Sequence, residues 1–347
     1  MILDIHAHIV PERFPAANGR GNGRWPSMDH LESYADGESA RANVMIAGEN
    51  FRTVRDVCWS HTRRAEELQR EGADAQAISP MPELLAYWFN PQDGLDMSRC
   101  VNEQIAKMCQ AAPDRFYGLG MVPMQDPDLS AKELGPMKQA GLLGVELGSN
   151  ILGKSLGEER FFGFFQEAEK LDMAIFVHAL HPTFTDRFPA NERTINAIGF
   201  PIDTALTIGS MIVSGLLERC PNLRLAFSHG GGTFTSYLPR LEHSWSGRWN
   251  GEPPGPAEGP AARMREMIPK SPTEYARKLY YDTLVFDRRL IRYLIDMVGI
   301  SQIAVGTDFP FVPRERPVGK SLREVVTNPK EWELVSHQNA KRFLGIG

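Results

Sequence analysis

Residues 1–10, MILDIHAHIV, open the chain with a short apolar run that closes on two histidines, His6 and His8. Such a run, with one polar interruption, reads as a β-strand. Side chains along a strand alternate faces, so residues two apart point the same way. Both imidazoles therefore meet at the end of one strand, which is how a chain offers two nitrogen donors to a single metal ion. An isolated HxH pair also occurs on solvated sheet edges, so the reading turns on how the other strands end.

Three of them end in the same manner. AIFV stops at His178, LRLAFS at His229 and IAVGT at Asp308, each a residue able to bind metal. Around these runs the chain alternates strands and helices from Ser60 onward. HTRRAEELQREG reads as a helix stopped by Gly72, ADAQAISP as a strand, and MSRCVNEQIAKMCQAAP as a helix ending before Pro113. The strands RFYGLGMVP and LLGVELG follow, separated by the helix LSAKELGPMKQAG. EERFFGFFQEAEKLD leads into MAIFVHAL, TALTIGSMIVSGLLERC into LRLAFSHGGG, and a helix runs from Thr233 to about Trp249. The loop NGEPPGPAEGPAA is expected to lack regular structure. KLYYDTLV, the helix DRRLIRYLIDMVG, the strand SQIAVGTDFPF and helices to Leu344 complete the series. Strand and helix alternate eight times, which implies a parallel sheet closed into a (β/α)8 barrel, with residues 1–347 as one metal-dependent domain. Residues 12–60 break the rhythm with turn-rich GRGNGRWPS and two or three short strands, and read as a small insertion folded over the end of strand one. Active sites of this fold lie at the C-terminal strand ends, so His6, His8, His178, His229 and Asp308 would surround one mouth.

Composition excludes other classes. Hydrophobic residues at 42% and charged residues at 23% allow a sizeable core and argue against global disorder. A net charge of −5 argues against nucleic-acid and membrane-surface partners. Cys58, Cys100, Cys109 and Cys220 form no CxxC pair, which suits reduced thiols in a cytoplasmic protein. No dinucleotide or phosphate-loop motif occurs, so no organic cofactor is expected. The apolar stretch 204–217 is too short to span a bilayer, and the opening residues carry no basic leader.

The motifs DIHAH, NFRTV at 50–54, VHAL at 177–180, SHGGGTF at 228–234 and GTDFPF at 306–311 occur in order along the chain. In these the sequence resembles the amidohydrolase superfamily, and within it the decarboxylases of the aminocarboxymuconate-semialdehyde type. The resemblance implies that His6, His8, His178 and Asp308 bind one metal and that His229 is the catalytic acid or base handling a proton at it. It implies that Arg52 grips a substrate carboxylate and that Arg240 reaches a neighbouring site across a homodimer interface. Phe311, beside Phe309 and Pro310, offers an aromatic face to a planar substrate, or simply packs in the loop. Three imidazoles and a carboxylate suit Zn²⁺, with Mn²⁺ next. A related branch bridges two metals through a carboxylated lysine at the end of strand four. Here that end reads GVELGSN, with no lysine before Lys154, so one metal per chain is expected.

The activity implied is non-oxidative decarboxylation of a small unsaturated or aromatic acid resembling 2-amino-3-carboxymuconate-6-semialdehyde, as in aromatic-compound catabolism. Water at the metal or Asp308 would supply the proton. Two other readings stay open. Ala179 and Leu180 stand where these decarboxylases usually carry Pro and an aromatic residue, which leaves room for a hydrolase or hydratase. A non-catalytic metal-binding barrel is the other, although His229 lies beyond a complete ligand set. His30, His61, His181, His243 and His337 read as structural or surface residues, His181 being nearest the site.

Overall fold

The computed structural model describes residues 1–31, 39–247, 259–311 and 314–347. β1 (Leu3–Ile9) is buried along its whole length. The insertion follows as an antiparallel sheet of β2 (Ser27–His30), β3 (Arg41–Ile46) and β4 (Glu49–Arg55). α1 (His61–Glu71) starts where Ser60 accepts a hydrogen bond from the Arg63 N–H and stops at Gly72, whose φ of 86° is left-handed. Glycine takes that conformation without steric cost, so the sequence signal for this helix end was unambiguous.

β5 (Ala75–Pro80) leads to α2 (Pro91–Ala111). This helix begins six residues before Met97, its expected start, because the Asn90 side chain caps it and Pro91 takes the first helical position. Next come β6 (Phe116–Gly120), α3 (Pro127–Gln139), β7 (Gly144–Gly148) and a hairpin of β8 (Asn150–Ile151) and β9 (Lys154–Ser155). α4 (Phe162–Lys170) precedes β10 (Ala174–His178). α5 (Glu192–Thr194) passes through the π-turn Ile195–Gly199 into α6 (Phe200–Val213). This run from Glu192 to Val213 is long and apolar enough to cross a membrane by length and composition, beyond what 204–217 suggested, yet buried Asp203 and Thr207 face inward from it. α7 (Leu216–Arg219), β11 (Leu225–Phe227) and α8 (Phe234–Ser246) follow.

The proline- and glycine-rich loop falls mostly outside the described residues, but its last part is helical. α9 (Pro260–Met267) begins with Pro260 at the first helical position, where its missing N–H costs nothing. α10 (Pro272–Ala276), β12 (Tyr280–Tyr281), α11 (Arg288–Val298), α12 (Lys320–Val325), α13 (Pro329–Glu333) and α14 (Asn339–Leu344) complete the chain.

The main sheet runs β1, β5, β6, β7, β10, β11, β12, with every neighbouring pair parallel. Residues 303–309 close it into a barrel without forming a continuous strand. The Ala304 N–H donates to the Tyr281 carbonyl at 3.0 Å, and the Ile5 N–H donates to the Val305 carbonyl at 2.9 Å. Between those bonds and Asp308, Gly306 passes tightly against Asp282: a Cβ there would lie 2.5 Å from the Asp282 Cβ. Leu3, Ile5, Ala75, Ala77, Leu119 and Phe176 pack with Phe343 and Leu344 of α14 in a cluster separate from the larger core.

Candidate metal centre

The strand reading of the first ten residues holds at atomic detail. His6 and His8 are fully buried, with their Nε2 atoms 3.1 Å apart. His178 ends β10, and Asp308 follows the closing segment with a left-handed φ of 62°. One donor atom from each of His6, His8, His178 and Asp308 lies within 4.8 Å of all the others. Asp308 Oδ1 is 3.0 Å from His8 Nε2 and 3.6 Å from His6 Nε2.

The far side of each imidazole decides what its Nε2 can do. His6 Nδ1 donates to Asp282 Oδ2 at 2.6 Å, His8 Nδ1 to the Pro80 carbonyl at 2.9 Å, and His178 Nδ1 to the Ala179 carbonyl at 2.7 Å. A neutral imidazole that donates from Nδ1 presents a lone pair at Nε2. Once His8 gives up its proton, three lone pairs and a carboxylate oxygen aim at one point, and buried His178 Nε2 has no hydrogen-bond partner among the described residues. Such donors repel one another unless a cation or proton lies among them, and the set suits zinc or manganese.

The charges follow the same geometry. Burial alone would lower the His8 pKa, yet the Glu146 and Asp308 carboxylates lift it to about 10. Burial would raise Asp308, but the His8 hydrogen bond and the neighbouring His6 hold it well below the usual carboxylate range. Burial takes His178 far below the ordinary imidazole value, with His6 and His8 acting in the same direction. Beneath the site, the buried Asp4 carboxylate accepts from the His6 N–H, the Gln76 amide and the Thr307 hydroxyl. Burial still raises its pKa to about 6.

His229 follows β11 at a left-handed φ of 55°. Its ring centroid lies 5.1 Å from that of His178 and 5.3 Å from that of His6. Burial, reinforced by His6, lowers its pKa to about 4, so the ring is neutral near pH 7. Its Nδ1 is buried with no hydrogen-bond partner among the described residues. Phe200 stacks on the ring at 6.2 Å, and the adjoining Gly230 N–H donates to Asp282 at 2.9 Å.

Of the three residues expected from the sequence to meet substrate, Arg52 and Phe311 come together and Arg240 stands apart. The Arg52 guanidinium lies 4.5 Å above the Phe311 ring, which itself stacks on His8 at 5.7 Å. Arg52 also approaches Glu192 at 3.4 Å. Arg240 is exposed on α8, with no hydrogen bond or ion pair to a described residue. His181 is tied elsewhere, its Nε2 donating to the Glu83 carboxylate at 2.9 Å and its ring stacking on Trp88 at 5.1 Å.

Two acidic residues at the centre went unassigned in the sequence. Asp282 orients His6, and fully buried Glu146 lies 3.4 Å from His8 Nδ1 at the strand end where a bridging lysine was sought. The rule that picked out His178, a polar residue closing an apolar strand, also applies to Asp282 in KLYYDTLV.

Three histidines and an aspartate at the C-terminal mouth of a parallel barrel define the class: a (β/α)8 protein with a single-metal donor set. The chain belongs to the amidohydrolase family, whose profile matches residues 3–346. A 2-amino-3-carboxymuconate-6-semialdehyde decarboxylase of Dictyostelium discoideum is 35% identical over 99% of this chain and 91% of its own length. The crystal structure of apo IDCase from Metarhizium anisopliae shares the fold, with TM-score 0.78 and 18% identity over 99% of this chain and 97% of that one. So does a dihydroxybenzoic acid decarboxylase of Polaromonas with bound manganese, at TM-score 0.65 and 19% identity over 82% and 85% of the two chains.

Proposed function

We propose that this protein is a metal-dependent, non-oxidative decarboxylase of a small unsaturated or aromatic carboxylic acid. The observation that carries the proposal is the convergence of His6, His8, His178 and Asp308 beside a neutral, buried His229. The 35% identity to a decarboxylase over nearly the full chain supports the same reaction.

His6, His8, His178 and Asp308 would hold the metal, with zinc the first choice for three imidazoles and manganese the second. Bound there, a metal would supply Lewis acidity to an oxygen at the site. Arg52 pairs with a substrate carboxylate through its planar fork, and Phe311 beneath the guanidinium offers a face to a planar acid. The bond from carbon to the departing carboxylate breaks, CO₂ leaves, and the electron pair stays on carbon. A proton drawn from water must then reach that carbon, and His229, neutral near pH 7, would relay it by taking it up and passing it on. Asp308, held ionised by the neighbouring histidines, has no proton of its own to give near neutral pH, so it would serve as a ligand rather than as the proton source.

The insertion of residues 12–60 serves as the cover of the mouth, since β4 carries Arg52 to Phe311. A homodimer gives exposed Arg240 its use, at the site of a second copy. Four free cysteines fit a reducing, cytoplasmic setting.

The test pairs metal analysis of the purified protein with a screen of ring-cleavage semialdehydes and hydroxybenzoates that records CO₂. About one metal per chain with CO₂ released, and activity lost on chelation, is the expected result. Substrate consumed without CO₂ would move the reaction to hydrolysis or hydration.

A further inference from the structure

His178 differs from the other two ligand histidines in how its orientation is fixed. His6 is oriented by Asp282 from another strand, and His8 by a carbonyl of β5. The partner of His178 is the carbonyl of the very next residue, Ala179. A ring held by its own neighbouring peptide is only as well placed as that peptide. What fixes the Ala179 peptide therefore fixes the ring.

The peptide is clamped on both sides by a single residue after β7. The Ser149 N–H donates to the His178 carbonyl at 2.8 Å, and the Ser149 hydroxyl oxygen accepts from the Leu180 N–H at 3.0 Å. The adjacent Asn150 amide donates to the Leu180 carbonyl at 2.8 Å. The Ser149 hydroxyl proton is committed in turn to the Asp203 carboxylate on α6. Asn150 donates to the same carboxylate oxygen at 3.1 Å. Thr207, one turn along α6, donates to the Ser149 carbonyl at 2.6 Å.

The hydroxyl's two roles depend on each other. Serine has one proton to give, and a carboxylate can only accept. With its proton directed at Asp203, Ser149 must turn a lone pair outward, and the Leu180 N–H takes it. Ser149, Asp203 and Leu180 are all buried, so water does not compete for these bonds. A chain of contacts thus runs from Asp203 through Ser149 to the backbone of 178–180, then through the Ala179 carbonyl to His178 Nδ1.

We infer that Ser149 and Asp203 are positioning residues for the metal centre, setting the tautomer and ring plane of His178 without approaching the metal themselves. The inference rests on His178 being a metal ligand. It adds that α6, outside the barrel, controls the quality of that ligand. Groups behind a ligating histidine commonly change metal affinity by about 10- to 100-fold, and here the group acts through one intervening peptide.

The experiment compares Ser149→Ala, Asp203→Ala and Asp203→Asn with the unaltered protein. Zinc affinity of the folded apoprotein is measured by competition with a chromophoric chelator. The His178 tautomer in the same apoprotein is read by ¹⁵N NMR of the imidazole. Ser149→Ala and Asp203→Ala are expected to weaken zinc binding about 10- to 100-fold and to spread His178 over both tautomers. Asp203→Asn keeps an oxygen acceptor for the Ser149 hydroxyl and should recover most of the affinity. A folded Ser149→Ala protein with unchanged zinc affinity overturns the inference. So does a fall in thermal stability with zinc affinity and tautomer unchanged, which would assign the pair to the scaffold alone. If Asp203→Ala does not fold, Ser149→Ala and Asp203→Asn decide the matter. Failure of unaltered protein to bind zinc or manganese would instead sink the metal centre itself, whereas binding without CO₂ release leaves this inference standing.

Discussion

The floor of the barrel mouth and its rim are held by different kinds of interaction. On the floor, each histidine of the candidate donor set is fixed from behind by a buried acceptor: Asp282, Pro80 or Ala179. On the rim, Arg52 is one-third exposed at 32%, and its ion pair spans 3.4 Å to a Glu192 side chain that is 88% exposed. Exposed pairs of that kind contribute little, because water and salt screen them. The difference separates two tasks. A metal site needs donors set before the ion arrives, whereas a substrate grip can settle when the acid binds.

The floor should break hardest. His178→Ala removes a donor from a set with no spare, and metal affinity should fall roughly a thousandfold or more, taking turnover with it. Chelator competition and steady-state kinetics would measure both. Retained affinity would mean that the remaining donors suffice and that the set does hold a spare. His229→Ala is expected to keep full metal content while lowering turnover about a hundredfold. Metal analysis beside the kinetics separates those two effects, and an active variant would remove His229 from proton transfer.

Protonation probes the floor without mutation. His8, with a pKa of about 10 in the metal-free protein, carries a proton near neutrality that an incoming metal must displace. Lower pH supplies more of the competing proton, so metal affinity should rise with pH, by about tenfold per unit through the neutral range. Calorimetry in two buffers of unlike ionisation enthalpy should record one proton released per metal. No release at neutral pH would mean that His8 is already deprotonated.

The rim should bend where the floor breaks. If Arg52 grips the acid as proposed, Arg52→Gln should raise KM about tenfold with a smaller change in kcat. A loss confined to kcat would place Arg52 in the chemical step instead. Glu192→Gln, which deletes the exposed partner of Arg52, should alter KM by no more than about twofold. A larger effect would show that Glu192 orients Arg52 and that the rim is as tightly specified as the floor.

What the sequence determined by itself was local in origin. The two-residue period of a strand put His6 and His8 on one face, and polar residues closing apolar strands marked His178, His229 and Asp308. Alternating strands and helices announced the parallel barrel, and Gly72 bounded α1. The misread boundaries were local signals too: Asn90 with Pro91, and Pro260, begin helices that hydrophobic periodicity alone places later or omits. Only the tertiary structure decided what stands behind the donors. His6 finds Asp282 across 276 positions, and Ser149 finds Asp203 across 54, through barrel closure and helix packing. Neither pairing leaves a periodic trace, because a buried carboxylate is kept by the few hydrogen bonds it accepts, and those partners become neighbours only once the chain has folded.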